Sequence, residues 1–236
     1  MMQSTDTGTT GDKSLNAVFD CLAHGARRRI LERLGERAPQ PLTRRDLATD
    51  LVQNDSVAQD GDTDADLQQA LRALHHTHLP KLEAAGLVRR ETARELVTIT
   101  DHPAFEDGGI LAAIESESDE SSDPLDRLFG ALGNARRRAI LGVLCHQDGS
   151  IHTETLARTV GAREQEIPES EVPAGDLETI VVDLVHCQLP SLADSGLVTY
   201  DSDAGTVAYE GHPQLTVPWT HSVLSPEFRR LLTVES

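Results

Sequence analysis

The sequence predicts a mainly α fold with small β-hairpins, built as two tandem copies of one module. Three observations lead there. LNAVFDCLAHGARRRILERL, starting at Leu15, aligns without a gap with LDRLFGALGNARRRAILGVL, starting at Leu125, 110 residues later. LRALHHTHLPKLEAAGLV, starting at Leu71, aligns with VVDLVHCQLPSLADSGLV, starting at Val181, at the same spacing. In both copies apolar residues at helical spacing give way, after a Gly-Leu-Val, to short alternating segments.

The elements follow in order. Leu15, Val18, Phe19 and Leu22 stand at helical spacing, as do Ile30, Leu31 and Leu34 after a break at Ala23–Gly25. PLTRRDLA at Pro41 then matches SIHTETLA at Ser150, with a single-residue shift in spacing. Thr43 is placed to cap a short helix that carries Leu47 and Leu51. A polar stretch, Gln53 to Asp66 or Arg163 to Asp176, has the composition of a loop. A long amphipathic helix runs through Leu67, Leu71, Leu74 and His78. Pro80 has no N–H to donate and clashes with the carbonyl of His76, so the helix must kink or restart there. Gly86 ends the last turn as a C′ residue. LVRRETARELVTIT and LVTYDSDAGTVAYE read as two strands around a polar tip. Helices followed by a two-stranded hairpin are the order of a winged helix-turn-helix, so the expected fold is two such domains in tandem.

The shared pieces ARRRIL, HxxLPxLxxxGLV and the closing His-Pro (His102-Pro103, His212-Pro213) carry a resemblance. They resemble small winged-helix domains of unknown function common in haloarchaea, often found in tandem and distantly similar to ArsR-type regulators. The resemblance covers residues 15–105 and 125–215. It implies a winged-helix fold and a role in transcription. One departure is a loop of roughly 14 residues before the long helix, where the standard motif has a tight turn of about 3–4 residues.

Charge and composition narrow the function classes. The net charge is −18, from 39 acidic and 21 basic residues, and only Lys13 and Lys81 are lysines. A lysine-poor, acidic chain that is also poor in aromatics reads as adapted to high salt. There the Debye length falls to about 3 Å near 1 M, so local contacts outweigh net charge. No apolar run reaches the length of a membrane span, and the start MMQSTDTGTTGDKS has no apolar signal core. The three cysteines are too few for a disulfide framework, so a cytoplasmic location with reduced thiols is expected. No Gly-rich phosphate loop, metal-hydrolase motif or nucleophile elbow occurs, which argues against an enzyme and against a bound cofactor. Cys145-His146, His186-Cys187 and His75-His76-x-His78 contain metal-type ligands, but neighbours on a helix diverge and no CxxC or HxxxH pair exists. A metal site is therefore not expected, and His76 and His186 are read as imidazoles satisfied by the carbonyl that Pro80 or Pro190 leaves free.

The candidate interface is for double-stranded DNA. In a winged helix the long helix enters the major groove and the hairpin touches the backbone. Repeat one offers Gln68, Gln69, Arg72 and His75 on that helix, Arg89, Arg90 and Arg94 on the hairpin, and Arg44 and Arg45 at the start of the preceding helix. Gln can read adenine, and Arg can read guanine or hold phosphate. The competing reading is a solvated helix face and a hairpin paired to Glu91 and Glu95. Repeat two presents Asp176, Glu178, Thr179 and Asp183 on the helix and Asp201 and Asp203 on the hairpin, which repel phosphate. Residues 15–105 carry 12 basic and 14 acidic side chains, and residues 125–215 carry 6 and 14. Repeat one is therefore the DNA-contacting candidate, and repeat two a candidate for pairing with a protein. The alternative for the whole chain is a non-enzymatic protein-interaction module that does not touch DNA. The arginine triplets Arg27–Arg29 and Arg136–Arg138 are read as helix starts with one arginine paired to an acidic residue and the others solvated.

The domain plan places a disordered tail at 1–13, domain one at 14–114, an acidic linker (ESESDESSDP) at 115–124 and domain two at 125–236. A helix from Pro103 to Ile114 and a C-terminal helix with Phe228, Leu231 and Leu232, preceded by Trp219, complete it.

Overall fold

A computed structural model of the 236-residue chain describes residues 7–55, 63–105, 114 and 123–210. Repeat one consists of α1 (Thr7–Leu22), α2 (Gly25–Arg37), β1 (Leu42–Thr43), α3 (Arg44–Asp55), α4 (Thr63–Ala73), a π-turn (Leu74–His78), α5 (Leu79–Ala84), β2 (Val88–Glu91) and β3 (Leu96–Ile99). Repeat two follows with α6 (Asp123–Leu132), α7 (Ala135–Leu144), β4 (Ile151–His152), α8 (Thr153–Gln165), α9 (Ala174–Asp183), a π-turn (Leu184–Gln188), α10 (Leu189–Asp194), β5 (Val198–Asp201) and β6 (Thr206–Tyr209).

The chain divides into two compact units, Ala17–Asp126 and Met1–Asn16 with Arg127–Ser236. Asn16 thus belongs with repeat two and Asp126 with repeat one, whereas the repeat alone suggested 14–114 and 125–236. α1 takes in residues 7–13, which their polar composition assigned to a disordered tail. Of the expected helix 103–114, residues 103–105 form a 3-10 turn and Ile114 is buried; the rest lies outside the described residues. Most of the linker and the C-terminal helix with Trp219 also lie outside them.

The apolar spacings become the core. Leu15, Val18, Phe19, Leu22, Leu31 and Leu34 are buried, as are Leu125, Leu128, Phe129, Leu132, Ile140 and Leu141. The hairpins are antiparallel, pairing Val88 with Ile99 and Val198 with Tyr209. A short extra strand adds to each on the β3 or β6 side, so the sheet orders are β1-β3-β2 and β4-β6-β5.

Two local signals act as the sequence suggested, and a third, the proline, acts differently. Thr43 and Asp46 form a reciprocal cap: the Asp46 N–H donates to Thr43 Oγ1 (3.1 Å) and the Thr43 N–H to Asp46 Oδ2 (3.0 Å). The Thr43 hydroxyl, which donates to Asp46 Oδ2 at 2.6 Å, and the Thr43 N–H hold the Asp46 carboxyl below the usual range. Replacing Thr43 with Ala is expected to lower stability by about 1 kcal/mol, with Ser close to the parent; thermal melts of both variants check the order. Gly86 sits at φ +74° and Gly196 at +73°, and the bonds Gly86 N–H to Glu83 and Leu87 N–H to Leu82 close a Schellman motif that repeat two reproduces. Before Pro80 and Pro190 the helix does not give way to a loop. It widens by one π-turn, in which the N–H of Leu79 reaches back to Leu74 and that of Leu189 to Leu184. The wider ring absorbs the donor that proline lacks and moves the ring away from the preceding carbonyl.

The flanking helices take in part of the stretch before the long helix that its composition assigned to a loop. α3 ends at Asp55 and α4 starts at Thr63; α8 runs to Gln165 and α9 starts at Ala174, with a 3-10 turn at Glu169–Glu171 between. Arg163, Glu164 and Gln165 are good helix formers, so polarity there marks an exposed last turn rather than a loop.

The arginine triplets are not solvated helix starts. A helix end leaves its last carbonyls without partners, and a cation there complements the helix dipole. Arg27 donates from Nε to the carbonyl of Cys21 (2.7 Å) and from a terminal nitrogen to that of Asp20 (2.6 Å), while Arg28 donates to that of Leu22 (2.6 Å). Arg137 and Arg138 do the same for Ala131, Gly130 and Leu132. Arg28 and Arg138 are fully buried. Within its unit Arg28 also meets Asp126 Oδ1 at 2.5 Å, and within the other Arg138 meets Asn16 Oδ1 at 2.7 Å. The shared triplet therefore secures the corner between the first two helices.

Candidate nucleic-acid interface

α4 and its π-turn present Gln68, Gln69, Arg72 and His75, all exposed. Gln68, Arg72 and His75 fall four and three residues apart, which puts them on one stripe of the helix. On β2 the side chains alternate: Val88 is buried, Arg89 exposed and Arg90 half-buried.

The arginines divide into two groups. Arg44 donates to His75 Nδ1 at 2.8 Å and to the carboxylate of Glu95. Arginine has no acceptor, so Nδ1 must be the unprotonated nitrogen of His75. Arg44 is thus a strut that ties the start of α3 to the long helix and to the hairpin tip. Glu95 is placed for this by a left-handed backbone, φ +53°, and its carbonyl also accepts the Arg44 N–H at 3.1 Å. Arg90 pairs with Glu83, holding that carboxyl below its usual range, and Arg94 pairs with Glu91 at 3.3 Å. The paired-hairpin reading therefore holds for Arg94, whereas Arg90 is paired to Glu83 of α5 rather than to Glu91 or Glu95. Arg45, Arg72 and Arg89 are exposed and make no ion pair among the described residues.

Repeat two differs at the same positions. Glu154 stands for Arg45, Glu178 for Gln68 and Thr199 for Arg89. Val182 stands for Arg72 and is 57% exposed. Arg136, which has no counterpart in repeat one, bridges Glu164 (2.7 Å) and Asp183 (2.8 Å) and keeps its guanidinium charged well beyond the ordinary range. Burial pushes the Asp183 carboxyl up, but the bonds from Arg136 and Gln188 leave it below its usual range.

The histidines also differ from expectation. His76 is exposed and packs edge-on against His75 at 4.6 Å, so it is not the residue that satisfies the proline-freed carbonyl. The buried position two residues on is His78 in repeat one and Gln188 in repeat two. Gln188 donates to both oxygens of Asp183 at 3.1 Å. Among the described residues His78 Nδ1 has no hydrogen-bond partner, and the ring packs edge-on against His24 at 4.9 Å. Among the described residues no group of three or more His, Cys, Asp or Glu is arranged to hold a metal, and no helix is long and apolar enough to cross a membrane.

The Arg44 strut, the arginine caps and the packing of His78 against His24 were missed by sequence reasoning. The repetition of the arginine pair was a signal for the caps. Nothing local signals the strut, whose members lie 31 and 51 residues apart in the chain.

No curated protein and no solved structure matches the chain. One family matches twice, over residues 19–98 and 129–208, which are the two repeats. The chain therefore belongs to the family described as Domain of unknown function (DUF7344), with two copies of that domain in tandem.

Proposed function

We propose that repeat one is a winged helix-turn-helix module that contacts double-stranded DNA, and that the chain is a non-enzymatic transcriptional regulator. The observation that carries this reading is the set Arg45, Arg72 and Arg89, exposed cations without an ion pair among the described residues, beside Gln68 and Gln69. Amide and guanidinium groups on a groove-entering helix suit base edges, and those on the hairpin and helix start suit phosphate. The resemblance to ArsR-type regulators supports the same role. The acidic, lysine-poor composition supports work in the concentrated salt of a haloarchaeal cell, where screening shortens the reach of the net charge.

A gel-shift titration across salt concentrations tests it. Binding should weaken with salt, and the variant Arg45→Ala/Arg72→Ala/Arg89→Ala should weaken it further and flatten the log–log slope by about 2, from the phosphate contacts of Arg45 and Arg89. Arg90→Ala should leave the slope unchanged, because Arg90 is held by Glu83. Binding indifferent to the triple substitution would overturn the reading.

A second reading applies to repeat two. Val182 exposed in place of Arg72, with carboxylates in place of Arg45 and Gln68, favours a protein partner over DNA. That reading requires a bound protein that is retained by the full chain and released by Val182→Arg.

A further inference from the structure

Arg44, His75 and Glu95 come from the three elements that would meet DNA: the start of α3, the long helix and the hairpin tip. Their side chains form one relay, in which Arg44 donates to His75 Nδ1 at 2.8 Å and to the Glu95 carboxylate. Repeat two shows that the corner does not need it. The corresponding residues there are Thr153, Val185 and Gly205, so all three members are absent together. The backbone bond between helix start and hairpin tip survives: the Thr153 N–H donates to the Gly205 carbonyl at 2.9 Å, as the Arg44 N–H does to that of Glu95 at 3.1 Å. The backbone is also left-handed at both tips, with φ +53° at Glu95 and +63° at Gly205. Glycine adopts that conformation freely, and a residue with a Cβ is disfavoured there. Repeat one thus accepts strain at Glu95 in order to carry a carboxylate. A tether alone gives no reason for it, because the backbone bond already holds this corner in repeat two.

We propose that the relay fixes His75 as a hydrogen-bond donor to a base edge, and so makes it a specificity-determining residue that excludes cytosine. The inference rests on the DNA reading of repeat one. A neutral imidazole has two tautomers, so Nε2 of an unrestrained histidine can either donate or accept. Arg44 can only donate, which keeps the proton off Nδ1 and places it on Nε2. His75 is exposed on the stripe it shares with Gln68 and Arg72, and its Nε2 has no hydrogen-bond partner among the described residues. In the major groove guanine offers N7 and O6 as acceptors, adenine N7 and thymine O4, whereas cytosine offers only its N4 amino donor. A ring locked as a donor pairs with the first three and meets cytosine donor to donor. Arg44 is then a positioning residue, with its guanidinium oriented by Glu95, and neither touches the base.

Two measurements on the full chain test this, the first without DNA. Proton–nitrogen correlation spectra at neutral pH, with His75→Ala to assign the signal, should show His75 as the Nε2–H tautomer alone in the parent and as a mixture in Arg44→Thr. In the second, each protein selects binding sites from random duplexes. The parent should disfavour cytosine about tenfold at one position. His75→Ala should lose that preference and keep the others. Arg44→Thr should admit cytosine at the same position, and Glu95→Gly should do so in part; repeat two folds with these residues at the corresponding places. A parent that selects no duplex overturns the DNA reading, and this inference with it. The inference alone falls on any of three results: mixed tautomers in the parent, unchanged preferences in His75→Ala, or an Arg44→Thr protein that weakens on every sequence alike.

Discussion

Replacing Asp126 with Ala is expected to destabilise the chain by about 2–3 kcal/mol, the largest loss from any single surface-reaching side chain described above. Arg28 is fully buried, and its guanidinium meets the Leu22 carbonyl and Asp126 Oδ1. Removing the carboxylate takes from a buried guanidinium the acceptor that Asp126 supplies. Breaking such a pair costs about 3–5 kcal/mol when both partners are buried. The Asp126 side chain is 35% exposed, so water can reach the vacated position and the cost falls below that range. Repeat two supplies the control. There the equivalent arginine, Arg138, donates to the amide oxygen of Asn16 at 2.7 Å, an uncharged acceptor in the position of the carboxylate. Asp126→Asn should therefore stay within about 1 kcal/mol of the parent. Urea unfolding of the two variants decides the matter. If Ala is as stable as the parent, or Asn as damaging as Ala, Arg28 does not depend on this acceptor.

The second large effect is on acid stability. Burial holds the His78 imidazole down, to about 4, and the charges of His24, Arg27 and Lys81 add to it. The side chain is only 7% exposed. A folded-state value below the unfolded one means that the unfolded chain binds the proton first. The contribution to stability is complete above pH 6.5 and is lost as pH falls toward 4, amounting to at most about 3 kcal/mol. His24 and His102 are shifted the same way by burial, and Asp46 and Glu83 lose their bonds over lower pH, so the parent protein keeps an acid limb whatever His78 does. The informative quantity is the difference between parent and His78→Gln. Glutamine is the residue repeat two places here, and it does not titrate. The stability drop between pH 7 and pH 4 should shrink by about 2–3 kcal/mol in the variant. Parallel pH profiles for the two proteins would show that His78 takes up its proton without cost.

Both predictions rest on differences between two copies of one module, and the same comparison explains why the candidate interface was only partly legible. Arg45, Arg72, Arg89, Gln68 and Gln69 could be picked out because helical and strand periodicity put them on outer faces, and they are outside. Arg44, Arg90 and Arg94 looked equivalent in sequence. They are engaged by Glu95, Glu83 and Glu91, and only two of those three pairings join residues close enough in the chain to suspect. The role of His78 could not be read at all, because its neighbour in space, His24, is 54 positions earlier.

What the sequence determined by itself was the duplication, the order of helices and hairpin, and the punctuation between them: the Thr43 cap, an irregularity at the proline and the glycine that ends the last helical turn. Each depends on backbone geometry within a few residues, where spacing and residue type suffice. Only the tertiary structure decided what the charged side chains do. Six buried or half-buried arginines, Arg27, Arg28, Arg44, Arg136, Arg137 and Arg138, end on carbonyls or side-chain oxygens that the fold brings to them. A long flexible cation next to a helix start has many acceptors within reach in principle. Burial removes water from the competition, and the acceptor that remains is set by packing rather than by position in the chain.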